Sequence, residues 1–96
     1  MQEGKIIQSV AKAMQLLDLL AEIQQPMSLA EISQKTGWPK STVHGLLSTM
    51  REFSVIAQDE LGRYMLGIRL FEYGSTLSSS WTILDIVRPY IQHISS

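Results

Sequence analysis

Short polar and cationic side chains recur at helical spacing between residues 40 and 50. With 100° between successive residues, a helix here would bury its apolar side chains on one side and leave the polar ones on the other. Hydroxyl groups can donate to or accept from bases and phosphates, and a lysine can reach guanine or the backbone. This face therefore has the chemistry of a helix that reads DNA from the major groove. The residues predicted to contact DNA on it are Lys40, Ser41, Thr42, His44, Gly45 and Ser48, with Ser41, Gly45 and Ser48 at its centre.

Two further residues are predicted to contact phosphates from outside that helix. Ser28 begins a shorter helix, whose first-turn N–H groups would bind a phosphate. Arg63 lies on a predicted hairpin and offers a guanidinium to the DNA backbone. Asp59 and Glu60 at the hairpin tip would be repelled by phosphates, so we expect the side of the hairpin rather than its tip to approach DNA.

Two helices joined by a tight turn must hold this surface in place. The run Ser28-Leu29-Ala30-Glu31 has the pattern of a capping box, in which a serine hydroxyl and a glutamate carboxylate accept from N–H groups at a helix start. Gly37 is predicted to end this helix, and Pro39 suits the first turn of the next one. The residues predicted to face inward are Leu29, Ala30 and Ile32 in the shorter helix and Val43, Leu46, Leu47 and Met50 in the longer one.

A long first helix is predicted from Ile7 to Ile23, because apolar residues recur there in steps of three and four and Pro26 follows. Its apolar sector is wider than one packing face needs. One interpretation places one flank on the core and the other on a second copy of the chain, so that polar substitution of Leu16 or Leu20 would disturb a dimer. The alternative, a helix buried on two sides within one chain, fits the pattern equally well.

A hairpin and further helices are predicted after the third helix. The strands are Val55–Gln58 and Arg63–Leu66. A helix over Ile68–Leu77 follows and is expected to stop at the serines 78–80, and Pro89 is expected to kink a last helical segment. The fold class is therefore mainly α with a small β-hairpin, a winged helix-turn-helix followed by linker helices. The last segment places Ile83, Val87, Tyr90, Ile91 and Ile94 on one face.

Composition limits the classes of function. The 96 residues, 45% of them hydrophobic, suffice for one globular domain, and the net charge of -1 argues against a simple nucleic-acid binder. However, no Asp or Glu lies between Ile32 and Arg51, so the charge around the proposed DNA-contacting helix is positive. The absence of cysteine excludes disulfides and thiolate metal sites, and no cofactor is expected. No run of about 20 apolar residues and no export signal is present, so we expect a cytoplasmic protein with no membrane partner.

An enzyme is the first alternative, since Ser41 and His44 lie one helical turn apart. Nothing in the sequence orients an acid onto His44, and there is neither a glycine-rich phosphate loop nor a cluster with metal-ligand spacing. We therefore expect no catalytic residues and no enzymatic activity.

The stretch SLAEISQKTGWPKSTVHGLL, residues 28–47, resembles the helix-turn-helix of the IclR family of bacterial transcription regulators. The first helix and the end of the hairpin, GRYMLG at residues 62–67, resemble the family as well. The resemblance continues through the linker helix into the last segment, at Leu70, Glu72, Gly74, Arg88, Pro89 and Ile91.

This resemblance implies a division of the chain and a set of partners. Residues 6–67 would form the DNA-binding domain, and residues 68–96 a linker helix and the start of the helix leading to an effector domain that the chain does not include. Homodimers formed through the first and linker helices would bind roughly palindromic operators in double-stranded DNA. A small-molecule effector is expected only if a further domain exists beyond Ser96.

Two positions depart from the family's pattern. Gly45 stands where the family usually has an arginine that contacts DNA, at the centre of the predicted surface. This glycine would weaken or retarget DNA binding, so a winged helix that binds proteins rather than DNA is the second alternative. Ser54 stands where a glycine normally ends the third helix, and serine is an acceptable residue at a turn.

Overall fold

The computed structural model describes residues 4–80, 85 and 87–89 of the chain. The elements follow one another as α1 (Gln8–Ile23), α2 (Leu29–Thr36), α3 (Lys40–Glu52), β1 (Ile56–Gln58), β2 (Tyr64–Leu66) and α4 (Ile68–Ser80). Three helices, a hairpin and a linker helix in this order confirm the predicted fold class, a winged helix-turn-helix. The observed strands each begin one residue later than predicted, after Val55 and Arg63.

One hydrophobic core holds the first three helices and the hairpin together. Burial of apolar side chains is the main favourable term in folding, and the buried residues fall on one face of each helix, as the spacing predicts. Ala30 is the exception: it is exposed, because it lies about 100° around the helix from Leu29 and farther still from Ile32. The core residues are Leu16, Leu20, Met27, Ile32, Val43, Leu47, Met50, Ile56 and Tyr64.

The first helix contributes one flank to this core and leaves another flank exposed. Leu16 and Leu20 are buried within the chain, so the prediction that their polar substitution would report on a dimer is wrong. Such a substitution would remove core packing instead. Val10 and Met14, with 59% and 54% of their surface exposed, lie on the other flank. The interpretation that α1 is buried on two sides within one chain is therefore wrong as well.

The hairpin is tied to the start of the helix-turn-helix unit. β1 and β2 are antiparallel, with Ala57 opposite Met65. Met27, in the loop between α1 and α2, pairs with the other side of β2: its N–H donates to the Tyr64 carbonyl at 2.9 Å, and the Tyr64 N–H donates to its carbonyl at 2.7 Å. This pairing was not predicted, and it fixes the hairpin relative to α2.

The linker helix α4 is longer than predicted, since it continues through the serines at positions 78–80. The Ser78 hydroxyl donates to the Gly74 carbonyl at 3.2 Å, one turn earlier, so the helix itself supplies its hydrogen-bond partner. Residues 85 and 87–89 are helical too, including Pro89, whereas positions 83, 90, 91 and 94 of the predicted apolar face lie outside the described residues. None of the helices within the described ranges is both long and apolar enough to cross a membrane.

Candidate nucleic-acid interface

The helix-turn-helix unit begins with the predicted capping box at Ser28. Its hydroxyl accepts from the Glu31 N–H at 3.1 Å, and its own N–H donates to the Glu31 carboxylate at 2.8 Å. These bonds occupy two of the donors available for the predicted phosphate contact, and they place a negative charge beside the first turn. A phosphate bound there would have to accept from the N–H groups of Leu29 and Ala30.

The turn between α2 and α3 is made by Gly37 and braced by side chains. Gly37 has a φ of 76°, in the left-handed region where other residues suffer a Cβ clash. The Ser33 hydroxyl donates to the Trp38 carbonyl at 2.6 Å, and the Trp38 N–H donates to the Thr36 hydroxyl at 3.2 Å. The Lys12 ammonium of α1 lies 5.3 Å from the centroid of the Trp38 ring, a cation–π contact. The start of α3 is therefore held against both preceding helices.

The outer face of α3 brings together six of the eight residues predicted to contact DNA. Pro39 is the N-cap of this helix, one position before the first turn predicted for it. Thr42 is half-buried at the edge nearest α1. The other five are exposed to solvent, on the side of the helix that faces away from the core: Lys40, Ser41, His44, Gly45 and Ser48.

A strip of basic residues runs along one flank of this face. Lys40, His44 and Arg51 follow at steps of four and seven residues, so they lie within about 40° of one another around α3. Sequence reasoning left Arg51 out of the predicted site, although the same spacing would have found it. Its guanidinium donates to the side-chain carbonyl of Gln58 in β1 and so links α3 to the hairpin. This flank has the charge needed to contact the phosphates of one DNA strand.

The opposite flank of α3 faces α1 and forms an apolar groove, which no spacing in the sequence indicated. The groove has a volume of about 640 Å³. It is open at Gly45, where an added Cβ atom would meet no atom of the described residues within 4 Å beyond its chain neighbours and the backbone of α3. Its walls are formed by Val10, Ala13 and Met14 of α1 and by Thr42, Leu46 and Thr49 of α3.

In the hairpin, Arg63 is paired with Asp59. Its Nε–H donates to Asp59 Oδ2 at 2.9 Å, and Asp59 Oδ1 accepts the N–H groups of Arg63 and Leu61 at 2.8 and 2.9 Å. The backbone hydrogen bond from Arg63 is the main reason that the pKa of Asp59 lies below its ordinary value. The Arg63 side chain is 44% exposed, but its charge is compensated by a carboxylate of its own turn.

Ser28 and Arg63 thus differ from the six residues on α3. Each lies on a separate element and is bonded to an acidic side chain of that element, Glu31 or Asp59. Their contact with DNA stays a prediction that has to overcome this competition.

Comparison with known proteins gives one consistent family. Residues 9–60 match the IclR helix-turn-helix domain. The transcriptional repressor IclR of Escherichia coli is 35% identical over 89 residues, 92% of this chain and 32% of that protein. The regulator XynR of the same species is 37% identical over 91 residues, 94% of this chain and 36% of that protein. A crystal structure of an IclR family transcriptional regulator from Brucella abortus is similar with a TM-score of 0.70 and 27% identity, over 92% of this chain and 35% of the other.

These comparisons cover nearly all of this chain but only part of each relative. The chain spans about a third of the length of the proteins it matches.

Proposed function

The chain belongs to the IclR family of transcription regulators, and we propose that it binds a specific operator in double-stranded DNA as a homodimer, with α3 of each copy in the major groove. DNA binding and transcription regulation are properties of the family whose helix-turn-helix domain it matches. The operator specificity, the dimer and the docking geometry are the proposal.

The observation that carries the proposal is the exposed outer face of α3, which holds no carboxylate from Lys40 to Arg51; Glu52, the last residue of the helix, lies on the same side at its C-terminal end. A helix of this width fits the major groove, and residues 32–51 contain no Asp or Glu to repel phosphates. Lys40 would bind a phosphate or a guanine, and the hydroxyls of Ser41 and Ser48 would donate to or accept from base edges. The braced turn at Gly37 keeps this face in one orientation, which a sequence-specific contact requires.

Exposed apolar residues support the dimer. On α4, Phe71 is 70% exposed and Leu77 is 43% exposed, and Ile6 and Ile7 are exposed around the start of α1. Large exposed apolar patches commonly mark an interface, and we propose that a second copy of the chain covers these residues. A twofold dimer through these surfaces would present two α3 helices to two half-sites, and the operator would then be roughly palindromic.

Salt-dependent binding to a selected duplex tests the proposal. Duplexes would be selected from a randomised library with the purified chain, and the dissociation constants of the selected and a scrambled duplex would be measured by fluorescence anisotropy. Between about 50 and 300 mM KCl, phosphate-driven binding should weaken linearly on logarithmic axes while the preference for the selected duplex persists. Two chains per duplex, counted by analytical ultracentrifugation, would support the dimer. Equal, weak binding to both duplexes would contradict operator recognition.

Protein binding without DNA binding is the second candidate function. It is favoured by the net charge of -1 and by Gly45, which offers no side chain to a base. It predicts no salt-dependent affinity for any duplex, so a flat salt profile in the same titrations would favour it.

The extra length of the relatives bears on regulation. They are about three times as long as the part they share with this chain. We propose that a small-molecule effector, if the protein has one, binds a domain beyond Ser96 rather than residues 6–67. We also propose a cytoplasmic location, where a transcription regulator meets DNA.

A further inference from the structure

We infer that the apolar groove between α1 and α3 receives the 5-methyl groups of thymines, so that the protein selects its operator partly by methyl contacts centred on Gly45. The inference rests on the proposed function and deepens it, because it names the chemical group of DNA that is recognised. Three features support it. They are the small number of hydrogen-bonding groups on α3, the open space at Gly45, and the difference between the basic and the apolar flank of the helix.

The helix α3 has few groups that can read a base by hydrogen bonds. Paired hydrogen bonds to guanine come from Arg or Lys, and those to adenine come from Asn or Gln. From Lys40 to Met50 there is no Arg, Asn or Gln, and Lys40 stands at the very start. Thr49 already donates its hydroxyl to the Gly45 carbonyl at 2.9 Å. The His44 imidazole and the Ser41 and Ser48 hydroxyls can therefore give only single hydrogen bonds, and apolar contacts would add to base selection by the middle of this helix.

Gly45 leaves the middle of the outer face open. Apart from its chain neighbours and the backbone of α3 itself, a Cβ atom there would meet no atom of the described residues within 4 Å, so no described side chain fills the space in front of it. Without a side chain, the backbone of α3 can approach the base edges closely. The thymine methyl is the apolar group that bases present in the major groove, and it would enter this space.

The walls of the groove suit a methyl group. Thr42, Leu46 and Met14 contribute apolar surface to it. Val10 and Met14 are exposed although they are apolar and lie beside a polar helix face. Contact with a thymine methyl would remove apolar surface on both partners from water, which is favourable.

The basic flank of α3 favours DNA as the occupant of the groove. Lys40 and Arg51 line that flank, and the apolar groove lies on the other side of Gly45. The major groove presents phosphates along both edges and thymine methyls on its floor, so the basic flank would meet one phosphate edge while Gly45 and the adjoining part of the groove face the floor. This combination of cations and open apolar surface favours DNA over a second copy of the chain as the occupant. The apolar surfaces assigned above to the dimer, Ile6, Ile7 and α4, do not line the groove.

The test replaces each thymine of the selected duplex in turn by uracil, which removes only the methyl group. At one or two thymines of each half-site, the dissociation constant should rise about fourfold, the effect of exposing one methyl-sized group. Gly45→Leu should abolish this difference in affinity between the thymine and uracil duplexes, because the leucine side chain would occupy the open space. Gly45→Ala should reduce the difference, and it is the variant to use if Gly45→Leu does not bind DNA. Ala21→Leu is the matched control, since it adds a leucine side chain at an exposed position of α1 that neither lines the groove nor belongs to the proposed DNA-contacting face, and it should keep the difference in affinity.

Three outcomes would overturn the inference. If the chain prefers the selected duplex but loses no affinity when any thymine is replaced by uracil, the inference is overturned and the proposed function stands. A fall in mass from two chains to one in Gly45→Leu, measured by ultracentrifugation without DNA, would show that a second copy occupies the groove. Equal binding to all duplexes would overturn the proposed function and this inference with it.

Discussion

The Nε–H of Arg63 donates to the Asp59 carboxylate at 2.9 Å, across the turn of the hairpin. The same carboxylate accepts the backbone N–H groups of Leu61 and Arg63. Asp59 therefore closes the turn and also compensates the cation that the hairpin could offer to DNA. A phosphate contact by Arg63 would therefore have to compete with this pair.

Asp59→Asn should strengthen DNA binding, because it releases Arg63 while an amide oxygen can still accept the two N–H groups. We expect the dissociation constant to fall by a factor of up to about five, the worth of an exposed ion pair. Anisotropy titrations against the selected duplex measure it. Glu60→Gln is the matched control, because it changes the net charge equally at the hairpin tip but releases no cation. Equal gains in both variants would show that net charge alone matters.

The lowered pKa of Asp59 gives the hairpin a pH dependence of definite sign. The folded pKa lies below the ordinary value of 3.8, so the ionised carboxylate stabilises the fold above pH 3.8 and this contribution is lost as the pH falls through the folded value. Below about pH 4, the wild type should lose stability relative to Asp59→Asn, whereas the two should change in parallel between about pH 5 and 8. Thermal unfolding, followed by circular dichroism at each pH, measures the stability of the wild type and of Asp59→Asn. A difference in stability between them that changes mainly between pH 5 and 8 would contradict this role of Asp59.

Variants at the proposed DNA contacts on α3 and in the hairpin should fall into two groups, according to whether they remove a phosphate contact or a base contact. Lys40→Ala should lower the affinity for every duplex alike and reduce the salt slope by about 0.9, because it removes one phosphate contact. Arg63→Ala should act in the same direction but more weakly, because Asp59 compensates its charge. Ser41→Ala or Thr42→Ala should instead reduce the difference in affinity between the selected and the scrambled duplex. Uniform effects from all four variants would refute the base-reading role of the serine and the threonine.

Leu77→Glu should dissociate the proposed dimer without unfolding the domain, since Leu77 is exposed on α4. Sedimentation equilibrium should show a change from two chains to one, with an unchanged circular dichroism spectrum. Leu16→Glu should unfold the domain instead, because Leu16 is fully buried. Thr76→Glu, about 100° around α4 from Leu77 and 140° from Phe71, makes the same change in charge at an exposed position and should leave the mass unchanged. A wild-type chain that stays monomeric at high concentration would disprove the dimer.

Most of the fold could be predicted because its determinants are local along the chain. The capping box at Ser28 and the left-handed Gly37 fix the ends of α2 through bonds that span only a few residues. The spacing of Val43 and Leu47 likewise identifies the buried face of α3. The end of the linker helix was wrong because Ser78 can satisfy its hydroxyl within a helix as well as in a turn.

The parts that could not be predicted are contacts between segments far apart in sequence. The pairing of Met27 with Tyr64 and the groove between Met14 and Thr42 depend on how the elements pack in space, which no spacing along the chain reports. The candidate surface on α3 was predicted as a set because all its members share one helix. The compensated state of Arg63 was not, because it depends on which way a surface side chain turns.

Gly67→Ala should destabilise the domain where the hairpin meets the end of α3. An added Cβ atom would overlap the Ser54 carbonyl oxygen and lie 2.8 Å from the Ile56 nitrogen, and these backbone atoms cannot move aside as a flexible side chain would. We expect a loss of about 1–3 kcal/mol in the free energy of unfolding, measured with denaturant at one protein concentration. Gly45→Ala, the same change in open space within a helix, should instead add about 0.5–1 kcal/mol. Losses of equal size would contradict the close packing at Gly67.

Ser54→Gly should stabilise the same junction. Ser54 has a φ of 61°, so this serine is accommodated at the cost of a Cβ clash. Relief of that clash is partly offset by the greater freedom of glycine in the unfolded chain, which leaves a net gain of up to about 1 kcal/mol. For a domain of this size, thermal unfolding should then shift upward by about 4–8 °C per kcal/mol. Ser54→Ala keeps the clash and should give no gain, and an equal rise in both variants would show that the serine hydroxyl, rather than the backbone angle, limits stability at this turn.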